Sequence, residues 1–167
     1  MNLRSTPLHP AQHNFKAFQS GEPELDRWLL DHAAGSDARR ITRTFVKTER
    51  DTGNVIGYYS LMAHELIREE LPKSVGRGSP VRIPAVLLAR LAVATGEQGK
   101  GLGASLLGDA MQRAARAGEQ VGARFVVVDA LHEPAAQFYE HFGFKRIPNG
   151  LRLVQKMSSI IAALELA

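Results

Sequence analysis

The stretch that most constrains the fold runs from Val86 to Ala117, where an apolar segment, a glycine-dense loop and an amphipathic pattern follow one another. The apolar segment, Val86–Val93, contains one charged residue and predicts a buried strand. The loop contains Gly99, Gly101 and Gly103. Beyond it, apolar residues recur at helical spacing, which predicts a helix with one face on a sheet; they are Leu102, Leu106, Leu107, Ala110, Met111 and Ala114. Glycines at the start of a helix leave backbone N–H groups accessible at its positive end, so the loop is predicted to bind an anion such as a pyrophosphate.

Four interpretations of this loop compete. A Walker A motif begins at Gly96 but lacks the Lys-Ser/Thr pair that it requires. The dinucleotide pattern G-x-G-x-x-A is met from Gly99 to Ala104, yet that motif normally opens a doubly wound sheet and most of this chain precedes it. A third pattern, Gln/Arg-x-x-Gly-x-Gly/Ala, fits Gln98, Gly101 and Gly103. In the fourth, the glycines form a tight strand-to-helix turn with no ligand.

A second motif follows further along the chain. After the apolar run Phe125–Ala130, the residues Ala135, Tyr139, Gly143 and Phe144 fit the pattern A-x-x-x-Y-x-x-x-G-F. With the glycine loop before it, this order of motifs resembles the GNAT (Gcn5-related) N-acetyltransferases. The resemblance implies an α/β (α+β) fold with a mixed central sheet of about six or seven strands, helices on both faces and a splayed central pair of parallel strands. A single domain over residues 1–167 is expected.

The local patterns predict the elements around these motifs. Residues 1–14 are predicted to be a loop or a short first strand, and Ser20 or Gly21 to cap the first helix. The other predicted elements are a helix over 22–31, a short helix to Arg40, a hairpin of strands 42–47 and 55–66, a loop over 69–84, a helix ending near Ala117, a strand over 125–130, a helix over 134–142, a strand pair over 145–147 and 151–156, and a tail helix over 157–167.

The GNAT resemblance implies acetyl-CoA as a co-substrate, and the spacing of the histidines gives no reason to expect a metal. The pyrophosphate of acetyl-CoA is expected on Gln98, Gly99, Lys100, Gly101, Leu102, Gly103 and Ala104, with Lys100 adding a positive charge. The pantetheine arm is expected to pair with the backbone of Leu91, Ala92 and Val93, in the gap between the splayed strands. Core packing by Leu91 and Val93 is compatible with this role.

The resemblance assigns the catalytic acid to Tyr139, which protonates the departing thiolate. A phenol has a pKa of about 10 and an alkyl thiol about 8.5, so Tyr139 keeps its proton until the sulfur gains charge. A tyrosine on an amphipathic helix is more often structural, and the assignment depends on the motif around it. His132 stands where many members have asparagine, and no role is transferred to it.

The general base is missing from the sequence pattern. Some protein-lysine acetyltransferases of this family carry a glutamate on the central strand, whereas here Arg90 is the charged residue of that strand. An α-amino group, with a pKa of about 7.7–8.0, has a substantial neutral fraction near pH 7.5, whereas lysine, at about 10.4, has almost none. An aminoacyl-tRNA or a protein N-terminus is therefore favoured over lysine as acceptor, unless a base acts through water.

Segments over roughly residues 15–156 look more narrowly like the TacT/AtaT-type toxins of type II toxin–antitoxin systems, which acetylate the amino acid on charged tRNA. Among them are 18–21, 25–29, 44–46, 57–61 and 87–93. This resemblance implies an aminoacyl-tRNA substrate and a ribbon-helix-helix antitoxin as partner. Basic residues would then meet tRNA phosphates, and Arg77, Arg39 and Arg40 are the candidate substrate contacts.

Composition limits the remaining classes. The chain has 167 residues, 44% of them hydrophobic, with a net charge of +4 and no cysteine, which suits one globular domain of the cytoplasm without disulfides. No apolar run is long enough to cross a bilayer, and the histidines show no metal-ligand spacing. The alternatives to a toxin are a housekeeping acetyltransferase acting on a protein N-terminus or a small amine, and a non-catalytic nucleotide- or CoA-binding module. A homodimer is left open.

Overall fold

The computed structural model describes residues 5–166 and contains two compact units. The first comprises the described residues up to Met62 together with Ala89–Met111, and the second comprises Ala63–Leu88 and the described residues from Gln112 onward. The strands are β1 (Thr6–Pro7), β2 (Arg43–Thr48), β3 (Val55–Ile67), β4 (Arg82–Val93), β5 (Phe125–Asp129), β6 (Lys145–Arg146) and β7 (Arg152–Lys156). The α-helices are α1 (Pro23–Asp31), α2 (Ala33–Ala38), α3 (Lys73–Gly76), α4 (Leu102–Val121), α5 (Glu133–His141) and α6 (Met157–Leu166).

The seven strands form one mixed sheet in the order β1-β2-β3-β4-β5-β7-β6, which confirms the predicted fold class. Strands β4 and β5 are parallel, with a register from Ala85↔Phe125 to Leu88↔Val128. Strand β7 lies antiparallel to both β5 and β6. Because β5 ends at Asp129, the register with β5 runs out near Leu88 while β4 continues to Val93.

In the first unit, helices cover both faces of the sheet. Tyr58 is fully buried on one face, where its hydroxyl donates to the Leu25 carbonyl of α1 at 2.7 Å. Gly57, its neighbour on the opposite face, lies against Leu106 of α4. Leu29 of α1 is also fully buried, and each such side chain stabilises the fold by about 1.5–3 kcal/mol. Successive residues of β3 therefore face opposite sides of the sheet, so that Tyr58 contacts α1 and Gly57 contacts α4.

The predicted cap of α1 is wrong in its details. The helix begins after Glu22, whose side chain makes no capping hydrogen bond. Ser20 instead donates through its hydroxyl to the Asp26 carboxylate at 2.6 Å, and its backbone N–H lies 3.1 Å from both oxygens of that carboxylate. The Asp26 side chain reaches back from the first turn, so the segment before the helix is fixed by the helix rather than capping it.

In the second unit, the segment predicted as a loop over 69–84 is more structured than expected. It contains a 3-10 turn, Arg68–Glu70, and helix α3, and β4 already begins at Arg82. The segment is held by its apolar residues, because Leu71 and Val75 pack on a cluster that includes Phe125 and Val154. Pro84 lies one residue before Ala85, where the pairing with β5 begins, so the N–H that proline lacks is not needed for that pairing. Its carbonyl still accepts a hydrogen bond from the Arg124 N–H at 2.8 Å.

The other predicted elements are confirmed within a few residues. Helix α4 continues past the predicted end to Val121, and Gly122 with a φ of 90° follows it. His132 caps α5, where its Nδ1 accepts from the Ala135 N–H at 3.1 Å. Predictions for residues 1–4 and 167 lie outside the described residues. No helix between residues 5 and 166 combines the length and apolarity needed to span a bilayer.

Candidate active site

The glycine loop has the backbone geometry of an anion cradle. Gly99 and Gly101 have φ values of 79° and 83°, a region that side chains rarely adopt. A Cβ at either position would meet nothing within 4 Å, so glycine is required there for the backbone turn and not for space. Helix α4 begins with the Ser105 N–H donating to the Gly101 carbonyl at 3.1 Å. The N–H groups of 102–104 precede that bond and are therefore left without a partner within the helix.

Gln98 fixes the start of this loop through its side chain. Its Nε2 donates to the Ser20 carbonyl at 2.7 Å and to the Val93 carbonyl at 2.9 Å. It thus joins the segment before α1 to the end of β4. Lys100, two residues further along the loop, is exposed, and its Nζ lies 3.7 Å from Oε2 of Glu97. An exposed ion pair of this kind is weak enough to be replaced by a contact with a bound anion.

The end of β4 leads directly into the loop. Ala92 is buried in the core of the first unit, while Leu91 and Val93 are only partly buried. Because β4 outruns its register with β5, these three residues lie beyond the paired segment. All predicted coenzyme-binding residues, from Leu91 to Ala104, therefore belong to one continuous stretch of the first unit.

Tyr139, the predicted acid, lies on α5 in the second unit and is buried. Its ring makes edge contacts with Phe138 and Phe144, at centroid distances of 5.2 and 5.7 Å. Burial raises the pKa of its phenol well above the ordinary value of 10, because the charged phenolate would lose its solvation. The group therefore holds its proton at physiological pH.

A double ion pair fastens the helix that carries Tyr139. Arg146 of β6 contacts Glu133 at 2.8 Å and Glu140 at 2.6 Å, at the start and near the end of α5. The hydrogen bonds that the guanidinium donates to Glu133 and Glu140 raise its pKa, so it stays charged at any accessible pH. The pairing holds α5 to the strand that follows it.

The predicted substrate arginines are exposed, as an RNA contact requires. Arg39 and Arg40 follow α2 in the first unit, and Arg40 has a φ of 60°. Arg77 follows α3 in the second unit, and its carbonyl accepts from Arg124 Nη2 at 3.4 Å. Nothing else in their surroundings fixes a role for them.

Two features were not found from the sequence. Arg90 of β4 places its guanidinium carbon 3.8 Å from the centre of the Trp28 ring, a cation–π contact. His64 of β3 has a buried Nε2 that finds no hydrogen-bond partner in the described part of the chain. Burial and the nearby Arg152 lower the pKa of its imidazole, so it is neutral near pH 7. Neither has a motif, because each depends on neighbours from other elements. Within residues 5–166 no cluster of three or more His, Cys, Asp or Glu side chains could hold a metal ion.

Residues 40–146 match the model of the acetyltransferase (GNAT) domain. The chain is 42% identical over 132 residues to a tRNA-acetylating toxin of Mycobacterium tuberculosis, covering 79% of this chain and 78% of that protein.

Among solved structures, AtaT complexed with acetyl-methionyl-tRNAfMet superposes with a TM-score of 0.88 at 31% identity, over 96% of this chain and 98% of that one. A tyrosine-to-phenylalanine mutant of AtaT, bound to the C-terminus of the antitoxin AtaR and acetyl-CoA, gives a TM-score of 0.81 at 29% identity, over 96% of each chain.

Proposed function

We propose that this chain, which belongs to the GNAT acetyltransferase family, is a toxin that transfers the acetyl group of acetyl-CoA to the α-amino group of an aminoacyl-tRNA. The observation that carries the proposal is the sequence identity with a tRNA-acetylating toxin along most of the chain. Acetylation removes the nucleophilic amine that peptide-bond formation needs, so translation stops.

The loop from Gln98 to Ala104 is the proposed pyrophosphate site. The positive φ values of Gly99 and Gly101 direct the loop, and the first-turn N–H groups of α4 supply donors at the positive end of a helix. Lys100 adds a mobile positive charge. Gln98 supports the site by fixing the loop, since its side-chain amide is already bonded to two carbonyls.

The end of β4 is the proposed pantetheine site. Leu91, Ala92 and Val93 lie beyond the register with β5, so their backbone groups on that side can bond the amides of an extended arm as a neighbouring strand would. This assignment uses backbone groups only, and it leaves the side chain of Ala92 in the core where the structure has it.

Tyr139 is the proposed general acid. The neutral amine attacks the thioester carbonyl carbon, an N–C bond forms and the C–S bond breaks, and the nitrogen releases one proton to solvent. The electron pair of that bond leaves with sulfur, and the phenol of Tyr139 gives its proton to the thiolate. Because burial raises the phenol's pKa, Tyr139 is loaded with a proton before each turnover and regains one from solvent afterwards.

An α-amine is the proposed nucleophile because it needs little help to lose its proton. The partners expected with this function are a charged tRNA, met by exposed arginines that include Arg77, Arg39 and Arg40, and a ribbon-helix-helix antitoxin. A homodimer in the cytoplasm, where charged tRNA is found, completes the proposal. The housekeeping acetyltransferase acting on a protein N-terminus is the competing function.

Labelled acetyl-CoA tests the function when it is offered with charged tRNA, uncharged tRNA and a panel of N-terminal peptides. Label transfer that needs the aminoacyl group supports the proposal, and transfer to peptides alone replaces it with the competing function. Tyr139→Phe should lower kcat about 10²–10⁴-fold while the Kd for CoA stays unchanged. Unchanged turnover by a correctly folded variant would remove Tyr139 from the acid role.

A further inference from the structure

Two pockets of the second unit meet at Lys156 and form a surface that we call the lysine groove. The first has a volume of about 110 Å³ and the second about 340 Å³. The charged side chains that line them are Lys145, Lys156 and Arg124. The hydroxyl and amide groups are those of Ser74, Gln155, Ser158 and Ser159. Among residues 5–166, no acidic side chain lines either pocket.

The strand register places the two lysines of the groove on one face of the sheet. Lys145 of β6 is paired with Val154 of β7, and Lys156 is two residues further along β7. Residues two apart on a strand share a face, so Lys156 lies on the same face as Val154 and Lys145. Two residues placed diagonally in this way across an antiparallel pair of strands lie about 7–8 Å apart. Two flexible ammonium groups at that separation can both reach one phosphate.

The acidic residues near these strands are already neutralised by arginine. Arg146 contacts Glu133 and Glu140, and Arg152 contacts Asp129 at 2.7 Å. In the part of the chain that the structure describes, neither Lys145 nor Lys156 makes an ion pair, and both are exposed. The positive charge of the groove is therefore uncompensated by protein.

Arg124 extends the charge along the second pocket. Its Nε donates to the buried Ser79 hydroxyl at 2.7 Å and its Nη2 to the Arg77 carbonyl, so the guanidinium is held in place by neutral groups. Its charge is not cancelled by these contacts. The groove thus presents one cation held in place, Arg124, and two flexible ones, Lys145 and Lys156. Lys156 lines both pockets.

We propose that the lysine groove, whose lining includes none of the proposed acetyl-transfer residues, binds backbone phosphates of the tRNA substrate. Lysines without an acidic partner, beside hydroxyl and amide groups, suit a phosphate. Its oxygens can accept hydrogen bonds both from charged ammonium groups and from neutral donors. The absence of a carboxylate from the lining of the groove removes the partner that a cationic ligand would need. This inference rests on the proposed function.

The double variant Lys145→Gln/Lys156→Gln tests the groove through its salt dependence. Loss of two phosphate contacts should weaken tRNA binding about tenfold near 0.15 M salt and reduce the slope of log Kd against log salt by about 1–2. The Kd for acetyl-CoA should not change. Lys16→Gln, at an exposed lysine of the first unit, is the matched control and should bind tRNA as the wild type does.

The arginine double variant Lys145→Arg/Lys156→Arg should keep both the affinity and the slope, since it keeps the charge. If the glutamine variant binds tRNA with wild-type affinity and slope, the groove is not an RNA site and the proposal is overturned. Loss of binding to an acidic peptide, with tRNA binding unchanged, would also overturn it and assign the groove to a protein partner. Wild-type protein that neither binds nor acetylates tRNA would instead refute the proposed function itself.

Discussion

Replacing Gly57 by alanine should disturb both the fold and the coenzyme loop. A methyl group at this position of β3 would lie 2.7 Å from Leu106 Cδ1 and 3.4 Å from the Ala92 carbonyl. Because ordinary contacts begin near 3.4 Å, Leu106 must retreat by about 0.7 Å. Leu106 is fully buried, so its side chain can yield only by adopting a less favourable rotamer or by a shift of α4.

The cost follows from overpacking of a full core. Adding a methyl group to such a site destabilises a protein by about 1–3 kcal/mol. For a chain of 167 residues each kcal/mol lowers Tm by about 2–4 °C, so Gly57→Ala should melt about 2–12 °C lower than the wild type. Leu102 and Leu106 lie in the first turns of α4, directly after the glycine loop, and Leu102 would also lie within 3.5 Å of the new methyl. If the shift weakens the equivalent of one hydrogen bond between the loop and acetyl-CoA, the Kd for acetyl-CoA should rise about five- to tenfold.

Thermal unfolding by calorimetry and CoA titration by isothermal calorimetry measure the two effects. Gly108→Ala is the matched control, because it adds the same methyl to the exposed side of α4, where nothing lies within 4 Å. It should leave CoA binding unchanged and raise the stability by up to about 1 kcal/mol. A Gly57→Ala protein with wild-type Tm and CoA affinity would show that β3 and α4 are not packed as described.

Three further predictions concern the loop, the acid and the folding unit. Gly101→Ala should raise the KM for acetyl-CoA and cost about 1–2 kcal/mol of stability, because φ is 83° there, whereas Gly96→Ala, also in open space but without positive φ, should change neither. The kcat/KM for aminoacyl-tRNA should rise steeply from pH 6 to about 8 as the α-amine loses its proton and then flatten towards pH 9 without falling, because burial raises the pKa of Tyr139 above its usual value; a decline between pH 8 and 9 would contradict the acid assignment. Urea unfolding followed by fluorescence and circular dichroism should give one coincident transition, because β3, β4 and α4 each continue from one unit into the other; two separate transitions would refute the single domain predicted from the sequence.

The features that sequence reasoning predicted well are those coded by neighbours along the chain. The Val-rich run of β5 and the apolar spacing of α4 each carry a periodicity that specifies an element and its buried face. The glycine loop was located by its motif, and the positive φ values of Gly99 and Gly101 agree with the turn that the motif implies.

The features that were missed depend on residues distant in sequence. The segment before α1 is held by Asp26 from inside the helix, which a search for capping residues ahead of the helix does not detect. The loop predicted over 69–84 ended at Pro84, a residue that disfavours a strand. In the structure Pro84 lies within β4, because the packing of the apolar cluster around Phe125 outweighs this local preference. The unpartnered nitrogen of His64 and the convergence of Lys145 with Lys156 appear only once the strand register is known.

The double hydrogen bond of Gln98 has a consequence for how the protein can be shortened or tagged. The Ser20 carbonyl that it grips stands 78 positions earlier in the chain. Deleting the residues through Ser20 would remove one of the two carbonyls that Gln98 holds, together with the Gln19 carbonyl that accepts from the Thr95 N–H at 2.9 Å, although no proposed catalytic or ligand-binding residue lies in that segment. The same deletion removes β1 and the buried side chains of Leu8 and Phe18, so a loss of activity after trimming would report a disturbed core and loop instead of a missing chemical group. Expression vectors for this enzyme therefore have to retain that leading segment.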